Sequence, residues 1–188
     1  MVAAWGDESG SNPRVDPGVF LLGAVMASPE ETAGAREAMS TMLPAGASKV
    51  HWSQTDPRRR RLLIAQIADL PVSALVVVRS GSPDEPAERR RRKCFTHFAL
   101  ELEARGCTRL TLESRGTRAD GRDRTMLDAL RASRTVSPAL RLDHLPGSAD
   151  PLLWIADVLC GAVVAARSGR PEHLDVLCPQ VTLVEVPT

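Results

Sequence analysis

The segment formed by residues 151–166 constrains the fold of this chain more than any other. It is apolar around the whole circumference of a helix, apart from Asp157 near its middle. A helix that is hydrophobic on every side must be buried inside the protein. An uncompensated carboxylate is costly in such surroundings, so we expect Asp157 to be held by a metal ion or by a paired arginine.

The composition is that of an ordinary globular protein. Of 188 residues, 43% are hydrophobic and 25% are charged, and the formal net charge is +1. This length suits one domain with a core of its own, so we expect a single domain over residues 1–188. The balanced charge excludes a strongly basic architectural nucleic-acid binder, and any contact with a polyanion must be local.

The sequence indicates a cytoplasmic protein that does not enter a membrane. Its N-terminus lacks the basic and apolar regions of a secretory signal, and residues 152–166 are short for a membrane span. Four cysteines occur without any C-x-x-C pair, which argues against a zinc ribbon or a thioredoxin-like motif. We expect reduced and mostly buried thiols.

Predicted strands and helices alternate along most of the chain. A connection rich in Gly, Ser, Asn, Asp and Pro at residues 9–18 predicts that the first two strands form an antiparallel hairpin. The alternation that follows predicts an α/β mixed sheet with helices on its faces. The predicted strands are 2–7, 19–27, 72–79, 107–113 and 139–143, the predicted helices are 29–42, 57–70, 87–105, 122–132 and one from residue 151, and a short tail follows.

Four carboxylates fall where such a sheet could bring them together. Asp7, Glu113 and Asp143 each follow or end a predicted strand, and Asp157 adds a carboxylate from a helix. Oxygen ligands of this kind hold Mg²⁺ or Mn²⁺, and a pair of such ions about 4 Å apart can promote phosphodiester hydrolysis. The alternatives are a turn-forming role for Asp7 and exposed strand ends for Glu113 and Asp143.

Several short motifs occur in an order that resembles a known family. They are Asp7-Glu8-Ser9-Gly10, the apolar strand that begins at Phe20, Val50-His51-Trp52 and Ile155-Ala156-Asp157. Together they span nearly the whole chain and resemble domain-of-unknown-function family 3800, a group of bacterial and phage-encoded proteins. The resemblance implies a ribonuclease H-like fold with a carboxylate metal site.

The resemblance also assigns expected roles to individual residues. Asp7 and Glu8 match the acidic opening of the family, His51 matches its histidine, and Asp157 matches the acid of its last motif. Glu113 takes the place of the aspartate that is more usual there. Because neighbouring side chains of a strand point to opposite faces, Glu8 faces away from Asp7 if the strand continues beyond them.

The resulting hypothesis is a metal-dependent nuclease. Asp7, Glu113 and Asp157 bind Mg²⁺ or Mn²⁺, with Glu8 and Asp143 as supplements. His51 then acts as a general base or a substrate contact, although it could equally be a core histidine.

Three further residues are candidates for contacts with RNA or DNA. Arg58 and Arg89 belong to two arginine runs that could meet the nucleic-acid backbone, although such runs are often solvated helix faces. Ser9 is the third candidate, although a serine before glycine often bonds to its own loop.

Two other classes of function fit the same residues. One is a binding module of a mobile-element or defence system that has kept the scaffold and lost the chemistry. The other is a metal-dependent enzyme for a small phosphorylated metabolite. The low aromatic content, 3% with no tyrosine, argues against stacking of single-stranded nucleic acid on aromatic side chains and leaves the second class open.

Overall fold

The computed structural model of the protein describes residues 2–11 and 14–186. Its strands are β1 (Val2–Gly10), β2 (Val19–Ala27), β3 (Ser73–Ser80), β4 (Cys107–Glu113), β5 (Arg141–Leu145) and β6 (Val181–Val186). Its helices are α1 (Pro29–Thr41), α2 (Pro57–Ala68), α3 (Ala87–Ala104), α4 (Thr117–Ala132), α5 (Pro151–Arg167) and α6 (Glu172–Leu177). Single 3₁₀ turns occur at Trp52–Gln54 and Gly147–Ala149.

The described strands form one mixed sheet in the order β5-β4-β1-β2-β3-β6. The pairs β1/β2 and β2/β3 are antiparallel, whereas β1/β4, β4/β5 and β3/β6 are parallel. The predicted mixed sheet with an opening antiparallel hairpin is therefore confirmed. Residues 12 and 13 of the predicted hairpin connection lie outside the described residues.

Helices cover both faces of the sheet and enclose two apolar clusters. Helices α1, α2, α5 and α6 pack on one face, and α3 and α4 pack on the other. Because successive side chains of β1 point to opposite faces, Trp5 lies on the first face and Ala4 on the second. Helix α5 lies against β1 and β2 and is buried on nearly every side, as its uniform apolarity predicts.

The helix starts follow the capping signals in the sequence. The backbone N–H of Ser28 donates to the carboxylate of Glu31 at 2.7 Å, which is half of a capping box at the start of α1. Asp56 accepts the N–H of Arg59 before α2, and Asp150 accepts the N–H of Leu152 before α5.

Three element boundaries differ from the prediction, and the two in strands change the positions of candidate residues. Strand β1 continues to Gly10, because its pairing with β2 extends to Phe20. Helix α4 starts at Thr117 instead of residue 122, after Gly116 with a φ of +95°. Strand β5 lies two residues later than predicted, so Asp143 is in its middle and Leu145 pairs with Glu113.

The C-terminal region contains more structure than the predicted tail. Helix α6 is followed by β6, which pairs with β3 and extends the sheet at that edge. Cys178 lies in this region and is exposed, whereas Cys94, Cys107 and Cys160 are buried as predicted. Within the described ranges, no helix combines the length and the apolar character that crossing a membrane requires.

Candidate active site

Two of the predicted site residues lie side by side on the neighbouring strands β1 and β4. Gly6 pairs with Leu112 across the parallel strands β1 and β4, so Asp7 and Glu113 follow at matching positions. Leu112 packs in the apolar cluster on the α3 side, and successive side chains of a strand point to opposite faces. The side chains of Asp7 and Glu113 therefore point to the face covered by α5. Asp157 approaches them from α5, which packs directly on β1.

Asp7 is partly buried beside the other two carboxylates. Burial is the main cause that raises the pKa of Asp7 to about 7, the negative charges of Asp157 and Glu113 act in the same direction, and the Glu8 N–H and the Lys49 ammonium oppose them. A carboxyl group with such a pKa lies in a site that stabilises its ionised form less well than water does. The site therefore favours a cation in addition to Lys49.

Asp157 is held by a loop that connects α1 to α2. Its Oδ2 accepts the backbone N–H of Trp52 at 2.6 Å and lies 3.3 Å from Nδ1 of His51. Burial raises the pKa of Asp157, while the Trp52 N–H and the charges of His51 and Lys49 act in the opposite direction. The compensation expected for Asp157 thus comes from a backbone donor and a histidine, and no arginine pairs with it among the described residues.

The side chain of Trp52 anchors this loop. Its indole ring packs so closely on α5 that a Cβ atom at Gly161 would lie 2.2 Å from it. His173 of α6 meets the ring edge-on at a centroid distance of 5.3 Å, and the guanidinium of Arg60 lies 4.6 Å from the ring centroid. This packing fixes the Trp52 N–H where it can reach Asp157.

Glu113 is in contact with Lys49 and Gly147. Its Oε1 lies 2.5 Å from the Nζ of Lys49, a residue of the same loop. Its carboxylate also lies against Gly147, where an added Cβ would be 2.6 Å from both oxygens. Gly147 is fixed in turn, because its carbonyl accepts the indole N–H of Trp154 at 2.6 Å.

Glu8 lies on the other face of the sheet. It pairs across the strands with Leu22, a core residue of the α3 side, and its Oε2 accepts Nε of Arg91 at 2.8 Å. Arg91 also forms a bidentate pair with the buried Asp123, and Arg115 contacts both carboxylates. The continuation of β1 past Asp7 thus makes Glu8 part of an internal ion network.

The remaining candidates are not gathered at the carboxylate site. Asp143 forms an exposed ion pair with Arg109 at 2.9 Å. Ser9 donates to the carbonyl of Gly10 at 3.2 Å, which is the local alternative considered for it. Arg89 lies 3.6 Å from Glu85, and Arg58 is exposed on α2.

Two contributors were missed by the reasoning from sequence, namely Lys49 and the backbone N–H of Trp52. The residue type could not predict the Trp52 contact, because any residue except proline would supply the same backbone N–H. Lys49 carried a weak signal, since it lies two residues before His51. A search for a positive charge near the motif histidine would have found it.

The strand order and the carboxylates beside β1 and β4 define a ribonuclease H-like fold. The similarity to a solved structure with a TM-score above 0.5 agrees. The ribonuclease HII of the PCNA:RNase HII complex from Archaeoglobus fulgidus is 17% identical, with 93% of this chain and 77% of that chain covered and a TM-score of 0.57. The ribonuclease H2 from Pyrococcus horikoshii OT3 is 14% identical, with 96% and 77% covered and a TM-score of 0.46.

The predicted fold class is therefore confirmed, and at these identities the similarity concerns the fold alone. No protein-family model matches the sequence, and no curated protein matches it.

Proposed function

We propose that this chain is a divalent-metal-dependent nuclease whose active site contains Asp7, Glu113 and Asp157. The observation that carries the proposal is the position of the partly buried Asp7 beside two further carboxylates on neighbouring elements of a ribonuclease H-like sheet. Burial and those neighbours raise its pKa to about 7, so a cation is needed to keep Asp7 fully ionised near neutral pH.

The chemistry of the donor atoms fits Mg²⁺ or Mn²⁺. Both ions prefer oxygen ligands and are commonly held by one or two carboxylates together with phosphate oxygens of the substrate. Across residues 2–11 and 14–186, no three His, Cys, Asp or Glu side chains are placed closely enough to share one ion. Asp7 and Asp157 are the residues that would hold it, since Glu113 is bound to Lys49.

The residues around the site supply the other requirements of phosphodiester hydrolysis. A divalent ion bound there would stabilise the negative charge that develops on the phosphate. His51 is half-exposed beside Asp157, where it can accept a proton from water or contact the phosphate. The anchored Trp52 orients both His51 and the Asp157 carboxylate.

The test is cleavage of labelled RNA, DNA and RNA–DNA hybrid by the purified chain in the presence of Mg²⁺ or Mn²⁺. We expect Asp7→Asn and Asp157→Asn to lose metal-dependent cleavage while they remain folded by circular dichroism. Asp143→Asn is the matched control, because that carboxylate forms an exposed pair away from the site, and it should cleave as the unchanged protein does.

Other results would point to the alternative functions. Undiminished cleavage by both site variants would refute the assignment of the site. If calorimetry finds no Mn²⁺ binding at millimolar concentration, the chain is a binding module on the same scaffold. Hydrolysis of small phosphodiesters or phosphorylated metabolites, with no action on nucleic acid, would assign it to small-molecule chemistry.

A further inference from the structure

We infer that the ammonium group of Lys49 takes the place of a second metal ion, so that this site binds one divalent cation and not two. This inference rests on the proposed metal-dependent function. It concerns the number of ions that the carboxylates bind, and its main evidence is the position of Lys49.

The Lys49 ammonium lies within the carboxylate cluster. Its Nζ is 2.5 Å from Glu113 Oε1, and its charge acts on both Asp7 and Asp157. The side chain is 24% exposed, so the contact with Glu113 is partly shielded from water. A charge in that position interacts more strongly with its neighbours than a surface lysine does.

The loop and the sheet hold Lys49 and Glu113 in place. Val50, the next residue, is 2% exposed and packs in the core on the α5 side. Trp52 is held by its packing on α5 and by its contacts with His173 and Arg60. Gly147 packs closely against the Glu113 carboxylate and limits its movement.

The charge balance of the cluster fits one divalent ion. Asp7, Glu113 and Asp157 carry three negative charges when ionised, and Lys49 neutralises one of them. A single Mg²⁺ or Mn²⁺ balances the two that remain. Two divalent ions would bring four positive charges to the same carboxylates and would place one of them beside an ammonium.

The second ion would also lack a ligand. In two-ion sites the metals are about 4 Å apart and usually share a carboxylate. Glu113 is the group here that could serve the second ion, and its Oε1 is already occupied by Lys49. Asp7 and Asp157 remain for one ion, with the substrate and water as further ligands.

Mn²⁺ binding to the full chain tests the inference without any measurement of cleavage. We expect calorimetry to give one Mn²⁺ per chain, and the electron paramagnetic resonance spectrum of the saturated protein to show an isolated ion. Lys49→Met, a neutral residue of similar length, should bind a second Mn²⁺ and give the spectrum of a magnetically coupled pair. It should also bind the first ion about 10-fold more tightly, because one nearby positive charge is removed.

Lys49→Arg is the matched control, since it keeps the charge and should still bind one ion. Two ions bound to the unchanged protein, or one ion bound to Lys49→Met, would overturn the inference. No binding to the unchanged protein would instead refute the metal site itself, so the two failures are distinguishable. The stoichiometry of the unchanged protein decides the question even if Lys49→Met does not fold.

Discussion

The backbone N–H of Trp52 donates to the carboxylate of Asp157 across 105 positions of sequence, at a distance of 2.6 Å. This bond joins the loop before α2 to the middle of the most buried helix. It also brings His51 and Lys49 to the same side of the sheet as Asp7. The candidate active site is therefore assembled from two neighbouring strands, one helix and one loop.

Asp157→Asn and Asp157→Ala should differ in stability. The asparagine keeps an oxygen that can accept the Trp52 N–H, whereas the alanine leaves that donor without its partner. We expect the alanine variant to be less stable than the asparagine variant by about 1–3 kcal/mol, measured by urea denaturation. Equal stability of the two variants would show that the bond to Trp52 contributes nothing.

Asp7→Asn should change how stability depends on pH. The pKa of Asp7 is raised from 3.8 to about 7 in the folded chain, so the folded state retains a proton that the unfolded state releases. Metal-free stability of the unchanged protein should therefore fall as pH rises from about 4 to 7 and level off above that. The asparagine lacks this dependence and should be more stable than the unchanged protein by about 2–4 kcal/mol at pH 8.

Denaturation at pH 4, 6 and 8 in a chelating buffer measures the effect of Asp7→Asn. Addition of Mn²⁺ at pH 8 should then stabilise the unchanged protein and have little effect on the variant. If both proteins show the same stability across this pH range, the charge of Asp7 is compensated in the folded chain.

Gly147→Ala should weaken metal binding with little loss of stability. The new Cβ would lie 2.6 Å from the Glu113 carboxylate, and the end of that flexible side chain can move aside. Movement of Glu113 breaks its contact with Lys49 and changes the charge distribution at the site. The Lys49 ammonium is then no longer paired and opposes the metal ion, so calorimetry should detect a lower Mn²⁺ affinity, and we expect cleavage to fall with it.

Gly34→Ala is the control for Gly147→Ala. Nothing lies within 4 Å of a Cβ at this position in α1, so the substitution should leave metal binding unchanged and stabilise the chain by about 0.5–1 kcal/mol. Equal Mn²⁺ affinity in both alanine variants would mean that the position of Glu113 does not matter to the site.

Arg91→Met should be far more damaging than Arg109→Met. Arg91 is 3% exposed and neutralises Glu8 and Asp123, so its loss leaves buried carboxylates without their main partner. We expect a loss of about 3–5 kcal/mol. The pair of Arg109 with Asp143 is exposed, and its loss should cost less than about 1 kcal/mol.

Thermal or urea denaturation of the two arginine variants measures this difference. A small effect of Arg91→Met would show that water compensates Glu8 and Asp123 when the guanidinium is removed.

Local patterns were enough to predict much of the fold and part of the site. Asp157 was predicted correctly to lie in a buried helix, because apolar periodicity reports which segments avoid water. The position of Asp143 was not predictable in this way. Strand β5 begins two residues later than its apolar pattern suggests, and the pairing of Leu145 with Glu113 decides where Asp143 lies.

The C-terminal strand and Glu8 illustrate what sequence reasoning could not reach. Residues 181–186 become a strand because the edge of β3 offers backbone donors and acceptors for pairing. Alternation predicted that Glu8 would face away from Asp7 if β1 continued, but its partner Arg91 is 83 positions away. Such a pairing depends on how two elements pack and leaves no local pattern.

By itself, the sequence determined the alternation of strands and helices, the burial of α5 and the presence of acids in β1 and at the end of β4. These features follow from side-chain periodicity and the exclusion of apolar surface from water, which act over a few residues. Only the tertiary structure decided that Lys49 binds Glu113 and that Trp52 binds Asp157. Those contacts are set by the close packing of distant segments, since short-range charge and hydrogen-bond interactions require atoms to meet within a few ångströms.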